Sequence, residues 1–123
     1  MTTTERGTWG EKQALAFLKD KGYKLVARNY RSRFGEIDLI VSDNSFIVFV
    51  EVKLRKNSNF ALAREFVSYK KQEKLRATAN LWLSNMSRSE KYAKTNLQPR
   101  FDVIEIYAED ETAFQINHIE NAF

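Results

Sequence analysis

The chain has 123 residues, 43% of them hydrophobic and 29% charged, with a formal net charge of +4. This length and hydrophobic content suit one core, so we expect a single domain over residues 1–123. The absence of cysteine excludes disulfide frameworks, thiolate zinc sites and cysteine nucleophiles. No apolar run approaches the roughly 20 residues that span a bilayer, and the first residues lack the apolar stretch of a secretion signal. We therefore expect a cytoplasmic protein that does not associate with membranes.

The first predicted element is a helix from about Thr8 to Lys21. Its apolar residues recur at helical spacing, at Ala14, Leu15, Phe17 and Leu18. Gly22 follows the last turn, where a residue in the left-handed conformation commonly ends a helix. The pattern therefore predicts a helix that packs one face on the core and ends at this glycine.

Three strands are predicted after this helix: Tyr23–Tyr30, Glu36–Ser42 and Phe46–Lys53. The second strand alternates strictly between two sets of side chains, which are expected on opposite faces: Ile37, Leu39 and Val41 on one, and Glu36, Asp38 and Ile40 on the other. The third strand is almost continuously apolar, which is typical of a central strand buried on both faces.

The second half of the chain predicts one helix and two more strands. Ser68 suits a helix N-cap, because its hydroxyl can accept a backbone N–H, and the helix is expected to run to about Asn85. The strands follow at Phe101–Tyr107 and Phe114–Ile119. The order α-β-β-β-α-β, with a terminal strand, predicts an α/β fold in which helices flank a mixed central sheet.

The turn between the second and third strands predicts which of their side chains face each other. In the register set by the turn signal Asp43-Asn44-Ser45, Asp38 lies opposite Glu51, and Glu36 lies opposite Lys53. Opposed residues have Cβ atoms about 5 Å apart, and like charges there are destabilising. Asp38 and Glu51 would therefore need a shared proton or a cation between them.

Two interpretations of this cluster stay open on the residues alone. In the first, a hard divalent ion such as Mg²⁺ binds Asp38 and Glu51. Lys53 shares a strand face with Glu51 and would stabilise charge that develops on a phosphoryl group. In the second, Glu51 and Lys53 form an ordinary ion pair on a solvated strand, and Asp38 is an exposed acid. Glu36 could likewise orient Lys53 or simply pair with it.

Basic side chains cluster after the third strand and on the second helix, which suits a polyanionic partner. The candidates for nucleic-acid contact are Arg55, Lys56, Lys70 and Lys74. Further along the chain, Arg100 and Asp102 predict either a salt bridge that stabilises the fold or a phosphate contact. The single histidine, His118, predicts a structural role.

Several spaced motifs resemble one known family. They are Gly10-Glu11, Gly35-Glu36-Ile37-Asp38-Leu39-Ile40, Phe49-Val50-Glu51-Val52-Lys53, Arg100-Phe101-Asp102-Val103 and the final segment 118–123. Together they resemble the bacterial YraN-type endonuclease family, which is similar to archaeal Holliday-junction resolvases and belongs with the PD-(D/E)XK nucleases. The resemblance covers nearly the whole chain. It implies a restriction-endonuclease-like core, whose element order is the α-β-β-β-α-β order predicted above.

The resemblance also implies a site and a reaction. By position, Asp38 and Glu51 correspond to the metal-binding carboxylates, and Lys53 corresponds to the catalytic lysine. Glu11 matches an acid that helps to hold metal or water in resolvase-like members, and the backbone carbonyl of Val52 is a usual additional ligand. The implied reaction is Mg²⁺- or Mn²⁺-dependent hydrolysis of DNA phosphodiester bonds, with branched or structured DNA as the favoured substrate.

Other residues and functions are less constrained by the resemblance. Lys71 and Gln72, on the inward stripe of the second helix, are at most auxiliary. Leu54 stands where many relatives carry threonine, a departure that concerns loop or phosphate contacts rather than the carboxylates. Resolvase relatives act as dimers, so a homodimer is a further expectation. Two alternatives stay open: a nucleic-acid-binding module of the same fold that does not cleave, and an assembly subunit with a vestigial acidic site.

Overall fold

The computed structural model describes residues 2–55, 67–86 and 96–123. Within these ranges, helices and strands follow one another in the order α-β-β-β-α-β-β. The elements are α1 (Thr3–Asp20), β1 (Lys24–Ser32), β2 (Gly35–Ser42), β3 (Phe46–Arg55), α2 (Tyr69–Met86), β4 (Gln98–Ala108) and β5 (Phe114–Ile119). The predicted element order is confirmed, and β5 has the predicted bounds.

The strands form a five-stranded sheet in the order β1-β2-β3-β4-β5. β3 and β4 pair in parallel, and the other neighbouring strands pair antiparallel. The connection between β3 and β4 contains α2, as expected because parallel strands need a crossover connection. The chain is therefore a mixed α/β fold consistent with a restriction-endonuclease-like core, and the predicted fold class is confirmed.

Alternate residues of β3 contribute to two hydrophobic clusters on opposite faces of the sheet. Val48 and Val50 pack in the cluster that contains α1 residues, whereas Ile47 and Phe49 pack in the cluster that contains α2 residues. All four side chains are buried, so β3 is the central strand that its apolar sequence predicts. It follows that α1 and α2 cover opposite faces and that odd-numbered residues of β3 face α2.

The helix ends are set by identifiable caps. α1 begins earlier than predicted because the Thr2 hydroxyl accepts the N–H of Glu5 at 3.1 Å. After α1, Gly22 adopts the predicted left-handed conformation, with φ of 97°. The predicted cap of α2 is confirmed, since Ser68 Oγ accepts the N–H of Lys71 at 3.2 Å. Neither α1 nor α2, the helices of the described ranges, is long and apolar enough to cross a membrane.

The predicted register between β2 and β3 is confirmed for the residues that pair, but the predicted Asp38–Glu51 pair is not among them. The strand pairs run from Ser42–Ile47 to Leu39–Val50. The turn is fixed by Asp43, whose Oδ1 accepts the N–H groups of Ser45 at 2.8 Å and Phe46 at 2.7 Å. The local turn chemistry therefore sets the alignment of the two strands.

The strict alternation predicted for β2 is wrong at Ile37. Ile37 packs with Ile40 in the α2-side cluster, whereas Leu39 packs in the α1-side cluster. The irregularity lies at Asp38, because the β1–β2 pairs on either side of it leave out Asp38 and Asn29. Asn29 has a φ of 51°, which breaks the regular pleat that strict alternation assumes.

A buried ion network connects β4, β5 and the end of α1. Arg100 donates to Asp102 through two hydrogen bonds of 2.9 and 2.8 Å. His118 Nε2 lies 2.7 Å from Asp102 Oδ2, and His118 Nδ1 lies 2.8 Å from Lys21 Nζ. The Asp102 side chain is completely buried. The predicted Arg100–Asp102 salt bridge is therefore present, and His118 belongs to the same structural network.

Candidate active site

Asp38 lies where the pairing between β2 and β3 has ended. Its Oδ2 accepts the backbone N–H of Val52 at 2.8 Å. Burial raises the pKa of Asp38, and the neighbouring Glu51 carboxylate raises it further, to about 7. The charges of Glu11 and Glu36 contribute in the same direction. Asp38 is therefore a carboxylate whose charge would be stabilised by a nearby cation.

The backbone of Val52 faces this gap between β2 and β3. In an extended strand, the N–H and the C=O of one residue point to the same side of the strand. Because the Val52 N–H donates to Asp38 of β2, its carbonyl is directed to the β2 side as well. The carbonyl that the resemblance implies as a ligand therefore points to the side of β3 on which Asp38 lies.

Glu51 is a buried carboxylate held between two lysines. Its Oε1 lies 2.6 Å from Lys71 Nζ and 3.6 Å from Lys53 Nζ. The Glu51 side chain is 7% exposed, whereas those of Lys53 and Lys71 are 26% and 44% exposed. α2 thus brings an ammonium group onto β3, and Lys71 is the nearer of the two lysines.

The electrostatic surroundings of the two lysines differ. Burial lowers the pKa of Lys53, and the charge of Lys71 lowers it further. Burial also lowers the pKa of Lys71, but its hydrogen bond and ion pair with Glu51 outweigh burial and raise that pKa. Lys71 is therefore the ammonium that neutralises Glu51, and Lys53 releases its proton more readily.

A second acidic pair, Glu11 of α1 and Glu36 of β2, is bridged by Asn29 of β1. With its amide nitrogen toward the carboxylates, Asn29 Nδ2 lies 3.0 Å from Glu11 Oε1 and 3.1 Å from Glu36 Oε1. This orientation follows because ionised carboxylates only accept hydrogen bonds. Burial raises the pKa of Glu11; the hydrogen bond from Asn29 opposes the rise, and the charge of Glu36 adds to it.

The predicted pairing of Glu36 with Lys53 is wrong. The β2–β3 pairs end at Leu39–Val50, so the ladder does not extend to Glu36. Glu36 instead pairs with Arg31 in the β1–β2 ladder, and Arg31 Nε lies 3.2 Å from Glu36 Oε2. The prediction assumed a regular hairpin in which β2 and β3 stay paired as far as Glu36, whereas their pairing ends earlier.

The donor set suits a hard divalent ion that keeps water ligands. Among the residues that the structure describes, no group of three or more His, Cys, Asp or Glu side chains is placed to hold a metal ion. Mg²⁺, however, usually takes one or two carboxylates and completes its shell with water and phosphate oxygens. Asp38 and Glu51, with the Val52 carbonyl beside them, fit that pattern. They do not fit an ion enclosed entirely by protein.

The remaining predicted residues have plainer surroundings. Gln72 donates to the Val67 carbonyl at 2.9 Å, at the start of α2. The candidates for nucleic-acid contact divide by position: Lys70 and Lys74 are exposed on α2, Arg55 is half-buried at the end of β3, and Lys56 lies outside the described residues. The side chain of Gln72 therefore secures the helix start, and Lys71 has the direct contact with the acidic cluster.

Sequence reasoning missed Asn29 and the contact between Lys71 and Glu51. Asparagine is disfavoured within strands, so its presence inside the predicted strand Tyr23–Tyr30 was a usable signal. The Lys71–Glu51 contact joins a helix to a strand, and no local sequence pattern predicts which residues of two separate elements come into contact.

Comparison with known proteins gives the family. The model described as "Uncharacterised protein family UPF0102" matches residues 10–106. The chain belongs to this family. A UPF0102 protein of Caldanaerobacter subterraneus is 44% identical to it over 119 residues, which cover 95% of this chain and 93% of that protein. A UPF0102 protein of Clostridioides difficile is 42% identical over 123 residues, with both chains covered completely. The range matched by the UPF0102 model includes Glu11, Asp38, Glu51 and Lys53.

Proposed function

We propose that this UPF0102 protein is a metal-dependent endonuclease of the PD-(D/E)XK type that hydrolyses phosphodiester bonds in DNA. The observation that carries the proposal is the meeting of Asp38 and Glu51 from neighbouring strands, with the ammonium of Lys53 3.6 Å from Glu51. The YraN-type resemblance supports Mg²⁺ or Mn²⁺ as the ion and branched or structured DNA as the substrate.

In this proposal, Asp38, Glu51 and the Val52 carbonyl hold the ion, and Glu11 holds a water molecule beside it. A bound divalent ion lowers the pKa of its water and neutralises charge on a phosphate. The raised pKa of Asp38 supports this assignment, because a cation would relieve the burial and the repulsion from Glu51 that raise it.

Lys53 is the proposed catalytic lysine. It lies two residues beyond Glu51 on β3 and therefore on the same face of the strand. Its Nζ is close enough to Glu51 Oε1 that a phosphate on an ion held by this carboxylate would lie within its reach. An ammonium fixed in partly buried surroundings stabilises the negative charge that develops on phosphoryl oxygens.

Exposed basic side chains on α2 and on the turn between β1 and β2 support a nucleic-acid substrate. Ser32 Oγ lies 2.9 Å from Thr78 Oγ1, so the turn between β1 and β2 contacts α2. The turn carries exposed Arg33, and α2 carries exposed Lys70 and Lys74. Lysine and arginine contacts to phosphates are independent of base sequence, so we propose that binding is driven mainly by the DNA backbone.

The test is cleavage by the purified full chain with Mg²⁺ or Mn²⁺. Linear duplex, single-stranded and four-way-junction DNA serve as substrates. Asp38→Asn and Lys53→Met are each expected to lower the cleavage rate by about 100-fold or more, while the circular dichroism spectrum stays unchanged. Glu73→Gln, at an exposed acid of α2, is the matched control and should keep full activity. A wild-type protein that cleaves none of these substrates with either ion would contradict the proposal.

The ion pair between Lys71 and Glu51 favours a second candidate, a nucleic-acid-binding module that does not cleave. An ammonium 2.6 Å from Glu51 neutralises this carboxylate without any metal. A non-cleaving module would bind DNA with the same affinity in Mg²⁺ and in chelator and would form no product. A nuclease instead forms product in Mg²⁺ and stops when chelator is added.

A further inference from the structure

An asparagine in a rarely occupied backbone conformation lies beside the candidate site. The φ of Asn29 is 51°, a left-handed value that residues other than glycine seldom adopt and that asparagine tolerates best. The β1–β2 pairs Arg28–Leu39 and Tyr30–Ile37 leave out Asn29 and Asp38, which lie between them. Such conformations persist only where their surroundings hold them, and they concentrate at functional sites.

The side chain of Asn29 contacts two carboxylates beside the candidate site. Its Nδ2 lies 3.0 and 3.3 Å from the two carboxylate oxygens of Glu11 and 3.1 Å from Glu36 Oε1. Glu11 belongs to α1 and Glu36 to β2, so a single amide ties two acids from different elements to β1. The contact therefore fixes where Glu11 stands relative to the strand that carries Asp38.

The Asn29 amide holds the two carboxylates without adding a positive charge to the site. Arginine in the place of Asn29 would hold Glu11 and Glu36 as well, but its charge would repel a metal cation nearby. An amide donates two hydrogen bonds and carries no net charge. Asn29 thus orients carboxylates while leaving their negative charge available to an ion.

We infer that Asn29 is a positioning residue, which holds the Glu11 carboxylate beside Asp38 so that Glu11 can bind the ion or its water. The inference rests on the proposed function, because it assumes that a divalent ion binds at Asp38 and Glu51. It adds a residue that acts through Glu11 rather than by touching the ion itself.

The experiment measures Mn²⁺ affinity by isothermal titration calorimetry on the full chain without DNA. Asn29→Gly removes the amide and keeps the backbone, because glycine adopts a φ of 51° without strain. It is expected to weaken Mn²⁺ binding about tenfold, as is typical when a partner of a metal ligand is lost. Asn121→Gly is the matched control, since Asn121 also has a φ of 51° and its backbone N–H, which glycine keeps, donates to Asp102.

A double variant distinguishes positioning from a general structural role. If Asn29 acts through Glu11, adding Asn29→Gly to Glu11→Gln produces no further loss of Mn²⁺ affinity. Losses that multiply in the double variant, or an unchanged affinity in Asn29→Gly, would overturn the inference. If Asn29→Gly does not fold, Asn29→Ser provides the same test, because its hydroxyl takes the place of Cγ, one bond short of the amide nitrogen that contacts Glu11, and adds no charge.

Asp38→Asn separates the failure of this inference from the failure of the proposed function. If Asp38→Asn loses Mn²⁺ affinity and Asn29→Gly does not, only the role of Asn29 is refuted. If Asp38→Asn also binds Mn²⁺ as the wild type does, the metal site itself is absent, and the role of Asn29 is refuted with it.

Discussion

The Nζ of Lys71 in α2 lies 2.6 Å from Oε1 of Glu51 in β3, a contact between the helix layer and the central strand. Glu51 is 7% exposed, and a carboxylate this buried is unfavourable without a partner. The Lys71 side chain is 44% exposed, so its ammonium can move toward solvent without repacking of the core. In the metal-free protein, Lys71 therefore supplies the positive charge that Glu51 requires.

Lys71→Met tests whether a divalent ion competes with this ammonium. In EDTA, the substitution is expected to lower the free energy of unfolding by about 1–2 kcal/mol, between the values for exposed and buried ion pairs. Mg²⁺ should then stabilise Lys71→Met more than the wild type, because the ion no longer displaces an ammonium. Urea unfolding with EDTA and with Mg²⁺ measures both effects. Equal stabilisation by Mg²⁺ in the two proteins would argue against competition, and exposed Lys70→Met is the control.

The pKa of Asp38 predicts how the stability of the metal-free protein depends on pH. This pKa is raised from 3.8 to about 7 in the folded protein. Between these values the folded state binds more protons than the unfolded state, so stability falls as the pH rises through this window. Asp38→Asn removes the titrating group and is expected to stabilise the metal-free protein at about pH 8 by on the order of 2 kcal/mol, and to have little benefit near pH 4.

The measurement is urea unfolding in EDTA at several pH values between about 4 and 8. Asp20→Asn, at an exposed acid near the end of α1, is the matched control and should leave the pH dependence unchanged. If the curves for Asp38→Asn and the wild type run parallel across the whole range, Asp38 does not titrate in this window.

Local sequence patterns predicted much of the backbone that positions the site. The turn Asp43-Asn44-Ser45 fixes its own hydrogen bonds, so the register up to Leu39–Val50 follows from sequence. The apolar run of β3 likewise required cover on both faces and so specified a central strand. These features depend on neighbours in the chain, which a single sequence displays directly.

Features that depend on tertiary contacts between elements could not be predicted in the same way. Ile37 lies on the unexpected face next to the point where Asn29 and Asp38 drop out of the β1–β2 pairs, and no residue of β2 signals that departure. Glu36 pairs with Arg31 because the β2–β3 ladder stops, whereas the predicted register assumed that it continues. The ion-binding and catalytic roles, including that of Lys53, stay predictions.

The buried network around Asp102 predicts sensitivity to acid. Burial raises the pKa of Asp102, but hydrogen bonds from His118 and Arg100 outweigh burial and hold that pKa below 3.8. The stabilisation from such a carboxylate is present above its unfolded pKa and is lost as the pH falls through its folded pKa. Asp102→Asn is expected to lower the free energy of unfolding by about 3 kcal/mol at neutral pH, because Arg100 stays buried without its charged partner.

Urea unfolding at neutral pH and at about pH 3 measures this effect. The difference between the wild type and Asp102→Asn should shrink at the lower pH, because the unfolded chain there takes up a proton on Asp102 more readily than the folded protein does. A small difference at neutral pH would mean that the network contributes little. Glu109→Gln, at an exposed acid after β4, is the control for charge alone.

The basic surface on α2 predicts a particular dependence of DNA binding on salt. Each phosphate contact contributes about 0.9 to the slope of log affinity against log salt concentration. Lys70→Gln with Lys74→Gln is therefore expected to reduce that slope by up to about 2 and to weaken binding similarly for unrelated DNA sequences. Binding is measured by fluorescence anisotropy in EDTA, so that cleavage does not interfere. Lys19→Gln with Lys24→Gln removes the same charge from exposed positions on α1 and β1; an equal loss of slope in this control would show that net charge, not the α2 surface, drives binding.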